Sequence, residues 1–306
     1  MSAKKQTKKR EHHSKQHLKD TWYGDFTELY PADDGTQGKT KLQYRTKTTK
    51  AGDYIECDLY PAIETNMDIE RNRKQRRMLE KVRRCKMKNK VKYLGHLLNA
   101  NFGENDYIVT LTTSQPASAE EARKNARNFI VRLQRRAKKD GHELHYLYII
   151  ESTGKEDRQR WHIHMVTDGG WIRREDIEDI WKKGKNSGLV RTDRVQEQAK
   201  GLEGFAVYIT QRKETQEKLM THAWAASTNL KKPEVHVSKS RFNGKAVKAV
   251  LDDVETNAQA YFEKAYPGYE LVERPEVRYS DFLPGAYITA WMRKKGTQKR
   301  GWRDRK

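Results

Sequence analysis

The chain has 306 residues, of which 35% are hydrophobic and 34% are charged, and its formal net charge is +21 at pH 7. Average soluble domains hold about 45–50% apolar and about 25% charged residues, so this composition indicates a packed core combined with solvated basic segments. Two cysteines without a CxxC pattern exclude a disulfide framework and a cysteine zinc site, and no apolar run approaches the roughly 20 residues of a membrane span. The positive charge favours a polyanionic partner, most commonly nucleic acid.

The first hundred residues are dominated by basic side chains. Residues 1–50 are polar and lysine-rich, which predicts a disordered basic arm. Residues 51–104 predict a strand, from the alternation over 53–60, followed by a long basic helix from about 68 to 101. A solvated charged face is one interpretation of this helix, and a phosphate-contacting arm is the other. The residues that we expect to contact DNA there are Arg71, Arg73, Lys74, Arg76 and Arg77.

Residues 105–215 carry the densest structural pattern and predict the catalytic core. Tyr107–Thr113 is a β-branched run typical of a buried strand, and Ser118 with Glu121 forms a capping box that begins a helix closed by Gly141. In chain order we expect a strand at 107–113, a helix at 118–141, strands at 144–150 and 161–166 joined as a hairpin, a helix at 174–183, a strand at 189–195 and a helix at 201–211.

This order of elements predicts an α+β fold in which helices pack on one face of a central, mainly antiparallel sheet. The other face of the sheet would stay free for a ligand. Residues 216–306 predict a C-terminal extension that packs on this core. It would hold an irregular basic segment, a helix at 246–265, a strand region that ends near Trp291 and a basic tail.

Two histidines on the predicted strand at 161–166 suggest a metal site. Side chains alternate along a strand, so His162 and His164 point to one face of the sheet, where two imidazoles can chelate a divalent cation. Glu151 ends the preceding strand and lies opposite residues 160–162 if the turn centres near 156–157. It would complete a His–His–carboxylate site with open positions. An exposed surface pair of histidines is the alternative.

Tyr208 is the candidate nucleophile. It lies on the helix at 201–211, with Arg212 one turn further along the same face and Lys213 adjacent. A phenol flanked by cations and presented toward a metal can attack a phosphate, because these charges favour the phenolate and neutralise the phosphate. A buried core tyrosine is the alternative.

The ordered set of Tyr107–Thr113, Glu151 with His162-Ile-His164, and a helix bearing Tyr208 resembles the three motifs of HUH rolling-circle replication initiators. The resemblance is greatest to the replication-associated (Rep) proteins of plasmids and phages of Gram-positive bacteria. It covers roughly residues 52–295, supported by these further stretches: Gly52-Asp-Tyr-Ile-Glu56, Trp224-Ala-Ala-Ser-Thr-Asn229-Leu-Lys-Lys-Pro233 and Tyr266-Pro-Gly-Tyr269.

The resemblance implies an HUH, RRM-like core and a single-tyrosine strand-transfer mechanism. Tyr208 would attack a phosphodiester of single-stranded origin DNA, leaving a 5′-phosphotyrosine and a free 3′-hydroxyl that primes a polymerase, and the ends would later be rejoined. It also implies that His162, His164 and Glu151 hold Mg²⁺ or Mn²⁺.

One departure from the family pattern concerns the residue that assists the tyrosine. Such initiators place a lysine three or four residues after it, where this sequence has Gln211 and Arg212, with Lys213 one residue later. Either Arg212 or Lys213 could take that role.

The resemblance further implies partners and a compartment. The sequence lacks a nucleotide-binding loop, so a host helicase would unwind the DNA and a host polymerase would extend it, in the cytoplasm of a bacterium. Expected DNA contacts in the C-terminal part are Trp224, Lys231 and Lys232, with Trp291 and Trp302 as further stacking candidates. Ordinary packing is the alternative for each tryptophan. Alternatives for the whole chain are a conjugative relaxase, an HUH transposase, a non-catalytic nucleic-acid-binding protein and a metal-dependent phosphohydrolase that uses water.

Overall fold

The computed structural model describes residues 42–63, 75–114, 118–153, 160–185, 187–210, 224–279 and 285–297. In chain order the elements are β1 (Leu42–Ala51), β2 (Tyr54–Ile63), α1 (Gln75–Asn101), β3 (Tyr107–Thr113), α2 (Ala119–Lys139), β4 (Tyr146–Thr153), β5 (Arg160–Thr167), α3 (Arg174–Lys182), β6 (Ser187–Arg194), α4 (Glu203–Thr210), β7 (Trp224–Ala226), β8 (Glu234–Ser238), α5 (Gly244–Asp252), α6 (Val254–Ala265), β9 (Tyr269–Leu271), β10 (Glu276–Tyr279) and β11 (Ala286–Lys294). The α+β class predicted from the sequence is confirmed. The strands form two antiparallel sheets, where a single central sheet was expected.

The described residues divide into two compact units, and the division differs from the predicted domains. One unit lies within Met1–Tyr93 and Pro233–Lys306, and the other within Leu94–Lys232. The strand predicted in residues 51–104 and the C-terminal strands predicted in residues 216–306 therefore belong to one sheet, although the sequence assigned them to separate segments. Strand pairing between residues far apart in the chain leaves no local pattern, which is why the boundaries were missed.

The sheet of the first unit has the strand order β10-β11-β2-β1-β8, and β9 also pairs with β11. β1 and β2 form a hairpin with Ala51 opposite Tyr54, so only Gly52 and Asp53 form the turn. Gly52 has φ +60°, a conformation that glycine adopts without a steric penalty. The prediction of disorder is therefore wrong for residues 42–50, which form most of β1. The rest of the predicted arm, residues 1–41, lies outside the described residues.

The core of this unit forms between β2, β11 and the two C-terminal helices. Cys57 and Leu59 of β2 pack in one buried cluster with Phe242 and with Phe262 of α6. The single helix predicted at 246–265 is two helices, because Asp253 leaves the helical conformation and its side chain accepts hydrogen bonds from the backbone N–H groups of Glu255 and Thr256. An aspartate in this position caps a new helix instead of continuing the old one.

The sheet of the second unit has the strand order β6-β3-β5-β4-β7. α2 packs on one face of it, and the buried cluster contains Val109, Leu111, Phe129, Ile163 and Met165. The predicted capping box is confirmed, since the Ser118 hydroxyl accepts from the Glu121 N–H at 3.2 Å and the Glu121 carboxylate accepts from the Ser118 N–H at 2.8 Å.

The opposite face of this sheet carries the two histidines, and it is not free along its whole length. Leu147, Ile149 and Val166 share this face by strand alternation and register, and each is at most 1% exposed. The expectation of a fully open face is therefore wrong. Side chains cover the middle of the face, whereas His162 lies nearer the end of the hairpin. Among the described helices, none is long and apolar enough to cross a membrane.

Candidate active site

The hairpin of β4 and β5 brings the predicted metal ligands onto one face. Its register places Glu151 directly opposite His162 and Ile149 opposite His164, which confirms the predicted position of Glu151. The imidazole rings of His162 and His164 lie 6.3 Å apart between centroids, with 21° between their planes. Two residues along one strand point the same way, so the sheet itself fixes this parallel arrangement.

Threonines of the neighbouring strand orient both imidazoles. Thr110 and Thr112 of β3 are paired with His164 and His162. Their Oγ1 atoms lie 3.4 Å from Nδ1 of His164 and 3.1 Å from Nδ1 of His162, respectively. When Nδ1 carries the proton and donates to the hydroxyl, the Nε2 lone pair is left for a metal, and outer partners of this kind commonly fix metal-binding histidines. Sequence reasoning missed this role, although threonines alternate through Tyr107–Thr113.

The carboxylate of Glu151 lies beside His164 in a nearly dry position. Its side chain is 8% exposed, and Oε2 lies 3.6 Å from Nε2 of His164. Nε2 of His162 is 2.9 Å from the hydroxyl of Thr153 on β4. The donor set of two imidazoles and a carboxylate fits a divalent cation by its chemistry. His162 would have to exchange the Thr153 hydroxyl for the metal, since the three predicted ligands do not converge within 4.8 Å in the part of the chain described.

Tyr208 lies next to this cluster with most of its side chain in solvent. It is 62% exposed, and its ring lies 6.2 Å from that of His164 between centroids, in an edge-on arrangement of 82°. Leu202, Ala206 and Ile209 form the buried side of the segment and turn Tyr208 outward. The exposure excludes the alternative of a buried core tyrosine.

The end of α1 holds the start of α4 in place. The side chain of Asn99 accepts from the N–H of Leu202 at 2.6 Å and donates to the carbonyl of Lys200 at 3.0 Å. Gly95 permits a close approach, because a Cβ at this position would lie 3.4 Å from the Cα of Glu203. These contacts fix the helix that carries Tyr208 to a second rigid element.

The remaining predicted site residues are less well placed or lie outside the described residues. Trp224 begins β7 and is half-buried, while Lys231 and Lys232 are exposed. Trp291 is only 4% exposed within β11, so packing and not base stacking is its role. Arg76 and Arg77 lie in α1. Outside the described residues lie Arg71, Arg73, Lys74, Gln211, Arg212, Lys213 and Trp302.

A cleft that the sequence reasoning missed lies at the Tyr107 end of the same sheet. It has a volume of about 870 Å³ and is lined by Tyr107, Trp171, Arg173, Arg174 and Arg194 among others. The guanidinium of Arg194 lies 4.0 Å from the centre of the Tyr107 ring. Aromatic rings beside arginines are typical of surfaces that hold single-stranded nucleic acid. The available signal was the run Gly169-Gly-Trp-Ile-Arg-Arg174 directly after a strand.

Asp106 secures the base of this cleft. Its carboxylate accepts from the N–H groups of Gly103 at 2.8 Å and of Gly169 at 2.9 Å. Burial is the largest influence on this carboxyl group and raises its pKa, while the two backbone hydrogen bonds act in the opposite direction. A Cβ at Gly169 would clash with the backbone of Asn105 at 2.5 Å, so the loop needs glycine there.

Comparisons with known proteins relate the middle of the chain to a family of replication proteins. The crystal structure of the hypothetical protein ORF119 from Sulfolobus islandicus rod-shaped virus 1 matches 40% of this chain and 91% of its own, with 16% identity and a TM-score of 0.29. No curated protein matches the chain. Residues 106–213 match the family model of the replication-associated protein ORF2. This segment includes Glu151, both site histidines and Tyr208, and the match supports a replication initiator.

Proposed function

We propose that the protein is an HUH-type initiator of rolling-circle replication that nicks and rejoins single-stranded origin DNA through a 5′-phosphotyrosine on Tyr208. The observation that carries the proposal is the position of Tyr208, 62% exposed and edge-on to His164. A large aromatic side chain left in solvent beside two imidazoles and a buried carboxylate is poorly explained by packing. It is well explained as a nucleophile.

The chemical step is a transesterification at phosphorus. The phenolic oxygen of Tyr208 attacks the scissile phosphate, a P–O bond to tyrosine forms, and the bond from phosphorus to the 3′-oxygen breaks. The phenol proton is lost and the departing 3′-oxygen gains one, so nothing is oxidised or reduced. Reversal of the same step by a 3′-hydroxyl rejoins the strand.

The residues around Tyr208 take separate parts in this step. His162, His164 and Glu151 are the proposed ligands of Mg²⁺ or Mn²⁺, which when bound would polarise the phosphate and neutralise its charge. Thr110 and Thr112 orient the imidazoles. Arg212 or Lys213 is the proposed cation that favours the phenolate.

The DNA partner is proposed to be held by basic and aromatic residues. The charge of +21 supports contacts to phosphates, and the cleft at Tyr107 offers rings and guanidinium groups for an extended strand. A host helicase and polymerase in a bacterial cytoplasm complete the proposed cycle, on a plasmid or phage replicon.

The test is capture of a covalent adduct. We would incubate the purified chain with Mn²⁺ and a labelled single-stranded DNA library of random sequence, and separate the products under denaturing conditions. The wild type should retain label on the protein, and Tyr208→Phe should retain none. Tyr146→Phe, on the opposite face of the sheet, is the matched control and should react like the wild type.

Two results would contradict the proposal. If Tyr208→Phe still forms the adduct, Tyr208 is not the nucleophile. If the wild type releases free 5′-phosphate ends without any adduct, water is the nucleophile and the protein is a phosphohydrolase.

A further inference from the structure

A second cluster of metal-ligating side chains lies outside the site described above. His142 follows α2, His145 precedes β4 and Asp168 follows β5. Their ligand atoms all lie within 4.8 Å of one another, and no other group of three or more His, Cys, Asp or Glu in the described residues does so. Oδ2 of Asp168 lies 2.6 Å from Nε2 of His142 and 3.1 Å from Nδ1 of His145.

The surroundings of Asp168 direct one of its oxygens toward the histidines. The other oxygen, Oδ1, accepts from the indole N–H of Trp171 at 3.3 Å and from the hydroxyl of Thr167 at 3.4 Å. Protein donors thus hold Oδ1, while Oδ2 faces the two imidazoles. Such outer hydrogen bonds are the usual way in which a ligating carboxylate is oriented.

The donor set and its exposure suit zinc. Two imidazole nitrogens and one carboxylate oxygen form a common three-residue zinc site, which leaves a fourth position for water. Neighbouring ligand atoms around tetrahedral zinc lie roughly 3.3 Å apart, close to the observed separations. The side chains of His142, His145 and Asp168 are 31%, 34% and 15% exposed, so an ion can reach them from solvent.

We propose that His142, His145 and Asp168 form a zinc site that is separate from the site at His162 and His164. The ion would join the loop after α2 to the connection between β5 and α3. Its effect would extend to the arginine-lined cleft, because the ring of Trp171 lines that cleft and stacks on His142 with centroids 4.9 Å apart. The site would therefore hold a wall of the cleft in place without taking part in chemistry.

The zinc content of the full-length protein tests this proposal. We would load the chain with Zn²⁺, remove unbound metal by gel filtration and measure bound zinc by mass spectrometry. His142→Ala and Asp168→Asn should each bind one equivalent less than the wild type and should lose the rise in melting temperature that Zn²⁺ causes. His236→Ala is the control, since His236 is an exposed histidine on β8, and it should match the wild type.

Two further arms keep this proposal separate from the nicking site and from folding defects. The double variant His162→Ala/His164→Ala should keep the zinc-dependent rise in melting temperature that His142→Ala loses. In the wild type, Zn²⁺ should protect His142 and His145 from diethyl pyrocarbonate but leave His236 reactive. If His142→Ala binds as much zinc as the wild type, or if Zn²⁺ protects neither histidine, the cluster is only a hydrogen-bonded network and the proposal is overturned.

Discussion

Replacing Thr112 by valine should weaken metal binding at His162 without unfolding the sheet. Valine has the shape of threonine and a high strand propensity, so β3 should form as before. What is lost is the hydroxyl that lies 3.1 Å from Nδ1 of His162. Without this partner the imidazole is no longer held in the tautomer and orientation that leave Nε2 for a metal.

The expected size of the effect follows from the hydrogen bond. A neutral hydrogen bond contributes about 1 kcal/mol, and about 1.4 kcal/mol corresponds to a factor of ten, so the loss amounts to about fivefold in affinity. Loss of an outer partner in known metal sites costs roughly 10–100-fold, which makes fivefold a lower bound. Thr110→Val should cost less, about twofold, because its hydroxyl lies at a longer 3.4 Å from His164.

Binding of Mn²⁺, followed by the loss of the free-ion signal in electron paramagnetic resonance, measures this affinity directly and needs no DNA. A His142→Ala background removes the contribution of the second cluster. Thr192→Val is the matched control on the opposite face of the same sheet, because its hydroxyl is buried and has no hydrogen-bond partner among the described residues. Unchanged Mn²⁺ affinity in Thr112→Val would refute the role of the threonines, and so would an equal loss in Thr192→Val.

Three stability predictions follow from other parts of the fold, each measured by urea unfolding. Ser118→Ala should cost about 1 kcal/mol, because it removes the N-cap of α2. Phe129→Ala should cost about 3–5 kcal/mol, since Phe129 is 1% exposed and packs edge-on against Trp181 at 5.7 Å. Unchanged stability in either variant would contradict the packing described. Burial lowers the pKa of Lys47 from 10.5 to about 8, so the folded state releases this proton first and the unfolding free energy should rise by up to about 3 kcal/mol as the pH goes from 8 to 10.5. Lys47→Met should lack this part of the rise, and a wild type without any difference from it would contradict the assignment.

The elements around the candidate site were predictable because their patterns are local. Ser118 and Glu121 define the beginning of α2, and Gly141, with φ +69°, lies just after its end. Alternation of apolar and polar residues located β3 and β5 within one or two residues of their bounds. The short polar segment between β4 and β5 was enough to place Glu151 opposite His162.

The strand β1 could not be recognised from composition, because lysines and threonines outnumber its apolar residues. Thr46 and Thr49 are nevertheless buried, and Lys47 is 5% exposed. The pairing with β2 and β8 satisfies the backbone of these residues, and that pairing depends on residues almost two hundred positions away. The local signal was the turn at Gly52 and Asp53, which is typical of a two-residue hairpin.

The chemistry of the site was only partly predictable for a related reason. The histidines and Glu151 follow from strand alternation, but the threonines that orient them lie on a strand paired across the sheet. Tyr208 was found through its order in the chain, while its exposure depends on which side of α4 is buried. The apolar stripe of Leu202, Ala206 and Ile209 settles that side, so a helical projection already indicated that Tyr208 faces outward.

Two different supports hold the two halves of the proposed site. The metal donors depend on β4 and β5, whose register is fixed by a continuous ladder of hydrogen bonds. Tyr208 depends on α4, whose start is held through the side chain of Asn99. A change at Asn99 would therefore move the nucleophile relative to His164 and leave the donor set intact. The position of the tyrosine and the affinity for the cation are thus separate properties of this fold, and a small shift of α4 is enough to alter the one without the other.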